Sequence, residues 1–190
     1  MYHFDSKADV ADYISTLSLP HTFFQPGFYL SNIPGKMFRQ GSPSEPWTLT
    51  LPVDATKAQV PIFDTADGGK FVKAIVLAGA RVHGKNIYAA AEYLSPARLL
   101  DDFRATFPEA GKTARYYQAP RDQYIGFLTG SGMPGFAAEE LYENMAALEI
   151  GGYYGGASLD ESVALVRDAG DELTTWAQFL KKTPVFKDLK

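Results

Sequence analysis

The order of events in the first thirty residues constrains this chain most: a helix with an apolar stripe, a proline break, then a short β-favouring run closed by Pro-Gly. Ser6-Lys7-Ala8-Asp9 reads as a helix start, a hydroxyl cap with an acid three positions on. Val10, Tyr13, Ile14 and Leu17 follow at i, i+3, i+4 and i+7, a stripe that a helix must bury against something. Pro20 stops that segment. His21-Thr22-Phe23-Phe24-Gln25 is then a compact strand candidate ended by Pro26-Gly27. Helix, short break and buried strand in succession is the rhythm of an α/β protein.

The rest of the chain keeps that rhythm. Phe28 to Asn32 predicts a buried loop or a helix start near Asn32, and residues 35–46 an exposed turn-rich crossing. Trp47 to Leu51 and Val60 to Asp64 predict strands. A helix from Asp64 or Thr65, carrying Phe71, Val72, Ile75 and Val76 inward, should stop at Gly79. Asn86 to Glu92 is the next strand candidate, and Ser95-Pro96 caps a helix that buries Leu99, Leu100, Phe103 and Phe107. A strand at Thr113 to Gln118 and a short helix at Arg121 to Thr129 come next. Pro134 to Ile150 is a long helix with Phe136, Leu141, Met145 and Leu148 on one side. Residues 151–156 (GGYYGG) are a loop, Ser158 caps a helix with Val163, Leu165 and Val166, and Thr174 or Thr175 starts one with Trp176, Phe179 and Leu180. No repeat and no low-complexity linker divides the chain, so one domain is expected.

Composition removes several classes of chemistry. Without any cysteine there are no disulfides, thiol nucleophiles or thiolate metal sites, and three scattered histidines (His3, His21, His83) make a histidine-rich zinc site improbable. No metal is expected. Eighteen basic against 22 acidic residues give a net charge of −4, which argues against a nucleic-acid surface. The longest apolar stretch, 71–80, is broken by Lys73 and is far too short for a membrane span. A cytoplasmic protein, with nuclear residence open, is expected. Of the glycine clusters, Gly130-Ser131-Gly132 follows a helix and leads into Met133-Pro134, and residues 151–156 sit at a helix end. Neither has the strand-turn-helix context of a dinucleotide fingerprint, and there is no G-x-x-x-x-G-K. Lys181, Lys182, Lys187 and Lys190 read as a solvated end. The aromatic run Tyr116, Tyr117, Tyr124, Phe127, Phe136 and Tyr142 reads first as core and second as the lining of a groove.

The informative stretch is His3-Phe4-Asp5-Ser6-Lys7. His3 and Lys7 are four apart and share a helix face. Tyrosine and lysine at that spacing serve short-chain dehydrogenases, the lysine holding the nicotinamide ribose and the tyrosine passing the proton; His3 stands where that tyrosine would be. The surroundings extend the pattern. HFDSKADVADYI followed by LPHTFFQPGFYLSN, then Pro61 to Asp64 with Asp67-Gly68-Gly69-Lys70-Phe71-Val72, and finally Leu173 to Leu180 (LTTWAQFL), together resemble the NmrA-like family of atypical short-chain dehydrogenases. The matches run in order along nearly the whole chain.

That resemblance implies an α/β fold: the carboxy-terminal portion of a Rossmann-type NAD(P)-binding fold plus a small, mostly helical substrate or partner subdomain. On it, residues 1–34 and 58–92 are residual Rossmann elements, and 35–57 and 93–190 form the subdomain. It implies that Lys7 contacts the cofactor ribose, that Tyr29, Leu30, Ser31 and Asn32 lie at the nicotinamide end of NADP or NAD, and that His3 and Lys7 are the catalytic candidates. Gly27 and Phe28 fit the same motif through backbone shape and packing. Family members open with a glycine-rich turn and about four further βα units, roughly 120 to 150 residues, that have no counterpart ahead of His3.

Three readings follow. The first is an NAD(P)(H)-binding regulatory or redox-sensing protein with impaired cofactor binding and a transcription regulator as partner. The second is an oxidoreductase acting on a small carbonyl or aromatic metabolite, and the third an inactive truncated remnant. Neutral imidazole beside a lysine and an oxidised nicotinamide is a poor proton donor to an alkoxide, which weights sensing above catalysis. A parallel sheet short of neighbours also leaves an edge open to self-association.

Overall fold

The computed structural model describes residues 2–190. Tyr2–Thr16 form α1, which therefore starts ahead of Ser6; the Ser6 hydroxyl donates to the His3 carbonyl from inside the first turns, at 3.4 Å. The expected stripe splits. No α1 residue is buried: Ile14 is half-buried with His3, Phe4 and Ala11, while Val10 is 57% and Tyr13 66% exposed.

Strand β1 (Phe23–Pro26) runs into β2 (Phe28–Tyr29), and a 3-10 turn, Leu30–Asn32, ends that stretch. β3 (Phe38–Arg39) and β4 (Thr48–Leu51) precede β5 (Val60–Phe63). Helix α2 (Gly68–Ala78) leads to β6 (Asn86–Ala89) and β7 (Glu92–Leu94). α3 (Pro96–Thr106), α4 (Pro108–Gly111) and β8 (Arg115–Gln118) come next. Then follow α5 (Arg121–Gly130), α6 (Gly135–Ala146), α7 (Asp160–Asp168) and α8 (Trp176–Lys182). The α/β class expected from the rhythm holds.

The ladders are short, two to four residues each, and mostly parallel. β1 lies parallel to β6 in a two-stranded sheet, β2 parallel and β7 antiparallel to β5, and β4 parallel to β8 with β3 antiparallel at its other side. Among the described residues β1 has a strand on one side only. Its open edge and the outward face of α1 lie in consecutive elements of the chain.

Two cores result. One gathers Phe63, Phe71, Ala74, Ala78, Val82, Ile87, Ala89 and Val166 between β6, α2 and α7. The larger one centres on aromatic rings: Phe38 is 4.4 Å from Phe103 and 5.9 Å from both Trp47 and Phe186, centroid to centroid. Such pairs add specificity to the area they bury.

Local signals worked where the stabilising contact is itself local. Ser95 Oγ accepts from Arg98 N, and Thr175 forms a reciprocal capping box with Gln178. They failed where tertiary packing decides. Residues 35–46 are not simply exposed, because Phe38 is fully buried in a strand. On α2, Val72 (51%) and Val76 (71%) face solvent, and the small Ala74 and Ala78 turn inward beside Phe71, which lets α2 approach α7 closely. Phe136 on α6 is 76% exposed, and Ala138 takes the inward position.

Candidate functional site

The amino-terminal turn of α1 draws on a distant part of the chain. It is capped from a distance: the His3 backbone N–H donates to Glu140 Oε1 of α6 at 2.8 Å. The same oxygen lies 2.6 Å from His3 Nδ1, and Asn144 Nδ2, one turn further along α6, lies 3.3 Å from His3 Nε2. One neutral tautomer satisfies both ring contacts, with Nδ1–H donating to the carboxylate and Nε2 accepting from the amide. The His3 backbone N–H, then its ring, holds the Glu140 carboxyl below the usual carboxylate range against a small opposing effect of burial.

Lys7 stands one turn on from His3. Its Nζ reaches the His3 carbonyl at 3.5 Å and its side chain is exposed. His3 and Lys7 thus share a face, as their spacing requires. Beside them Phe4 packs edge-on against Tyr153, with centroids 5.6 Å apart. Burial, and after it the neighbouring Tyr29 phenol, pushes the Tyr153 phenol up.

The four residues after Phe28 divide among three environments. Tyr29 is 41% exposed and rests on Phe63 at 5.8 Å. Leu30 is fully buried, so only its backbone is available to a ligand. Ser31 is exposed and lines an open cavity with Asp64 and Lys182. Asn32 Oδ1 accepts from Lys36 Nζ at 3.4 Å. Tyr29 and Ser31 therefore serve different surroundings, and Tyr153 bridges Tyr29 to the α1 group.

Tyr153 and Tyr154 were absent from the sequence-based candidates. Both lie in the loop 151–156, whose flanking pairs Gly151-Gly152 and Gly155-Gly156 all adopt positive φ. That backbone folds the two rings back onto the sheet. Tyr154 donates to the Gln25 carbonyl at 2.8 Å, at the carboxyl end of β1, and its ring lies 4.7 Å from Tyr88. Glycine pairs on both sides of two tyrosines were the available signal. Glu140 and Asn144 gave none, because nothing local marks a long-range cap.

A second polar cluster lies where β5 meets α2. Asp67, 2% exposed, accepts from Thr174 N (2.6 Å), Thr174 Oγ1 (3.1 Å) and Lys70 Nζ (2.7 Å). Asp64, 5% exposed, accepts from Ala66 N at 3.0 Å and faces Lys182 Nζ at 2.6 Å. Burial opposes the Asp64 charge, but the Lys182 ammonium and the Ala66 amide outweigh it and hold the carboxyl below its ordinary range. Lys182, expected at a solvated end, is exposed there and also pairs with the buried Asp64.

This cluster bears on dinucleotide binding. α2 opens on Gly68-Gly69 shortly after the parallel strand β5, the geometry that suits a pyrophosphate. Asp64 and Asp67 occupy its start, and each is already paired with a lysine, Lys182 and Lys70 respectively. Lys7 and Tyr29, both exposed, would be the residues to hold the nicotinamide end of a dinucleotide, and the two acids at the start of α2 offer its pyrophosphate no donor.

An α/β scaffold with parallel strands, a helix bearing His3 and Lys7, and a Pro-Gly turn after the next strand define a short-chain dehydrogenase-like protein. The model of the NmrA-like family matches residues 1–180, and the chain belongs to that family. No curated protein sequence matches it. Among solved structures it is similar to NmrA, a negative transcriptional regulator, in complex with NADP: TM-score 0.67, 18% identity, covering 92% of this chain and 55% of that one. It is also similar to an NADPH-dependent quinone oxidoreductase, QOR2, from Escherichia coli: TM-score 0.68, 17% identity, 93% and 60%. A nucleoside-diphosphate-sugar epimerase from Staphylococcus aureus matches with TM-score 0.62 at 14% identity, 92% and 57%. The chain thus spans little more than half the length of the structures it resembles, and at these identities the likeness shows a Rossmann-like fold.

Proposed function

We propose that this chain is an NAD(P)(H)-binding regulatory or redox-sensing protein rather than a catalyst. The observation that carries this reading is the commitment of His3. Its Nδ1 is engaged by Glu140 and its Nε2 by Asn144, so the ring in the proton donor's place holds no proton free for a substrate. Lys7, exposed and bonded only loosely to its own helix, is available to the cofactor ribose, with the Tyr29–Asn32 turn at the nicotinamide end. When bound, the cofactor supplies hydride chemistry or a redox-dependent conformation. This chain's own residues orient its nicotinamide end. Asp64 and Asp67, acceptors already engaged by Lys182 and Lys70, offer a pyrophosphate no donor at α2, which favours weak binding by this chain alone. Residues 1–34 and 58–92 would form the cofactor side, and 35–57 with 93–190 the side that meets a substrate or partner. The open edge of β1 and the bare face of α1 favour a protein partner or a second copy, in the cytoplasm or nucleus.

Calorimetric titration of NADPH and NAD into the chain and into Lys7→Ala tests this reading. Saturable binding that is lost in the variant supports it, because Lys7 makes no contact the fold depends on. Binding together with NADPH consumption on a panel of quinones and carbonyls replaces sensing by catalysis. No binding to either form leaves a remnant without cofactor function.

A further inference from the structure

β2 and β5 run parallel and end side by side, and the carboxyl ends of parallel strands are where α/β sheets take ligands. The turn Leu30–Asn32 leaves one strand and Asp64–Asp67 the other. Between them and the carboxy-terminal end of α8 lies an open cavity of about 410 Å³, lined by Ser31, Pro34, Asp64, Phe179, Lys182 and Val185 among others.

The cavity is floored by the Asp64–Lys182 ion pair. Asp64 Oδ2 is closed to solvent behind Lys182, whose side chain is 49% exposed. An ammonium has three hydrogens. Asp64 Oδ2 lies 2.6 Å away as its ion-pair partner and Thr174 Oγ1 accepts from it at 3.4 Å, so the exposed side of the ammonium can still donate to an acceptor entering the cavity. The other buried acid nearby, Asp67, is matched by Lys70. The walls are apolar. Phe179 is stacked on Trp176 at 5.9 Å and held rigid, and Pro34 and Val185 face it across the opening.

We propose that this cavity binds small monocarboxylic acids with a flat apolar body, the carboxylate on Lys182 and the body against Phe179, Pro34 and Val185. The Ser31 hydroxyl is a second donor at the mouth. The inference goes beyond the cofactor reading and shares with it only Ser31; the variants below touch neither His3 nor Lys7, so failure of one reading is distinguishable from failure of the other.

Benzoate is the probe, titrated into the full chain by calorimetry with ligand-observed NMR as a second readout. One charge contact and a half-covered ring support a dissociation constant of about 1 mM. Benzamide, equal in shape and uncharged, should bind about tenfold more weakly. Asp64→Asn combined with Lys182→Gln removes both charges at once, so that neither is left buried and unpaired, and should weaken benzoate by about tenfold. Val185→Trp, at a residue 46% exposed, should close the mouth and abolish binding; it decides the matter even if the double variant fails to fold. Equal benzoate affinity in the wild type and Val185→Trp overturns the proposal, as does no saturation up to about 20 mM, well above the expected constant.

Discussion

Gly27 sits where β1 passes into β2, and its missing side chain is a requirement of packing. A Cβ built there would lie 2.4 Å from the Pro61 carbonyl oxygen, 3.1 Å from the Tyr154 hydroxyl and 3.3 Å from Ala90 Cβ. The nearest atom is backbone of the adjacent strand β5 and cannot rotate away. An ordinary carbon-oxygen contact is about 3.3 Å, so β5 and the β1–β2 junction must separate by about 1 Å. Overpacking of this kind costs about 2 kcal/mol. For a chain of 190 residues that lowers the melting temperature by about 4–8 °C. The displacement would also push on the Tyr154–Gln25 hydrogen bond and on the Tyr29–Asn32 turn, so loss of nicotinamide-side binding should accompany the loss of stability.

The assay is thermal unfolding by circular dichroism of Gly27→Ala against Gly69→Ala. Gly69 lies in the first turn of α2, exposed, with nothing within 4 Å of an added Cβ. That substitution should raise stability by about 0.5–1 kcal/mol through helix propensity. If Gly27→Ala melts within about 1 °C of the wild type, half the shift that 1 kcal/mol produces, the strand junction is looser than its distances say and the argument from close approach fails.

Two further outcomes follow from the acids at the start of α2. Asp67→Ala strands the Thr174 N–H and the Lys70 ammonium, and urea unfolding should show a loss of about 3 kcal/mol, with Lys182 and α8 loosened alongside. Asp64 is held below its ordinary 3.8, so its contribution is fully present above that pH and is lost as pH falls through the lower folded value. The stability gap between wild type and Asp64→Asn, followed from pH 7 downward by urea titration, should therefore close below about pH 4; a gap that is constant with pH refutes the linkage.

The sequence was legible where structure is made by neighbours in the chain. The α3 cap at Ser95, the Thr175–Gln178 box and the inward rows Leu99, Leu100, Phe103 and Trp176, Phe179, Leu180 are all local, and all hold. It was opaque where a distant partner decides. Nothing near Val72 or Phe136 says which way the helix turns, because that depends on α7 approaching Ala74 and on Ala138 pointing inward. Phe38 looked like part of a loop because its three aromatic neighbours lie up to 148 residues away, at Trp47, Phe103 and Phe186. The family pattern supplied Lys7 and the 29–32 turn, but no motif separates Tyr29, which faces Tyr153, from Ser31, which faces Lys182.

His3 shows why a motif match does not by itself transfer a role. Its spacing from Lys7 is that of a proton donor and its lysine, and α1 preserves the spacing. The role depends on what meets the imidazole, and that is fixed by Glu140 and Asn144, far along the chain on α6. A carboxylate at Nδ1 alone would orient the ring and favour its charged form, the arrangement that makes histidine an acid–base catalyst. The amide at Nε2 changes the outcome, because the nitrogen that would face a substrate is already an acceptor. Together with the bond from the His3 backbone N–H to Glu140, these contacts tie the first turn of α1, a helix with no buried residue, to α6.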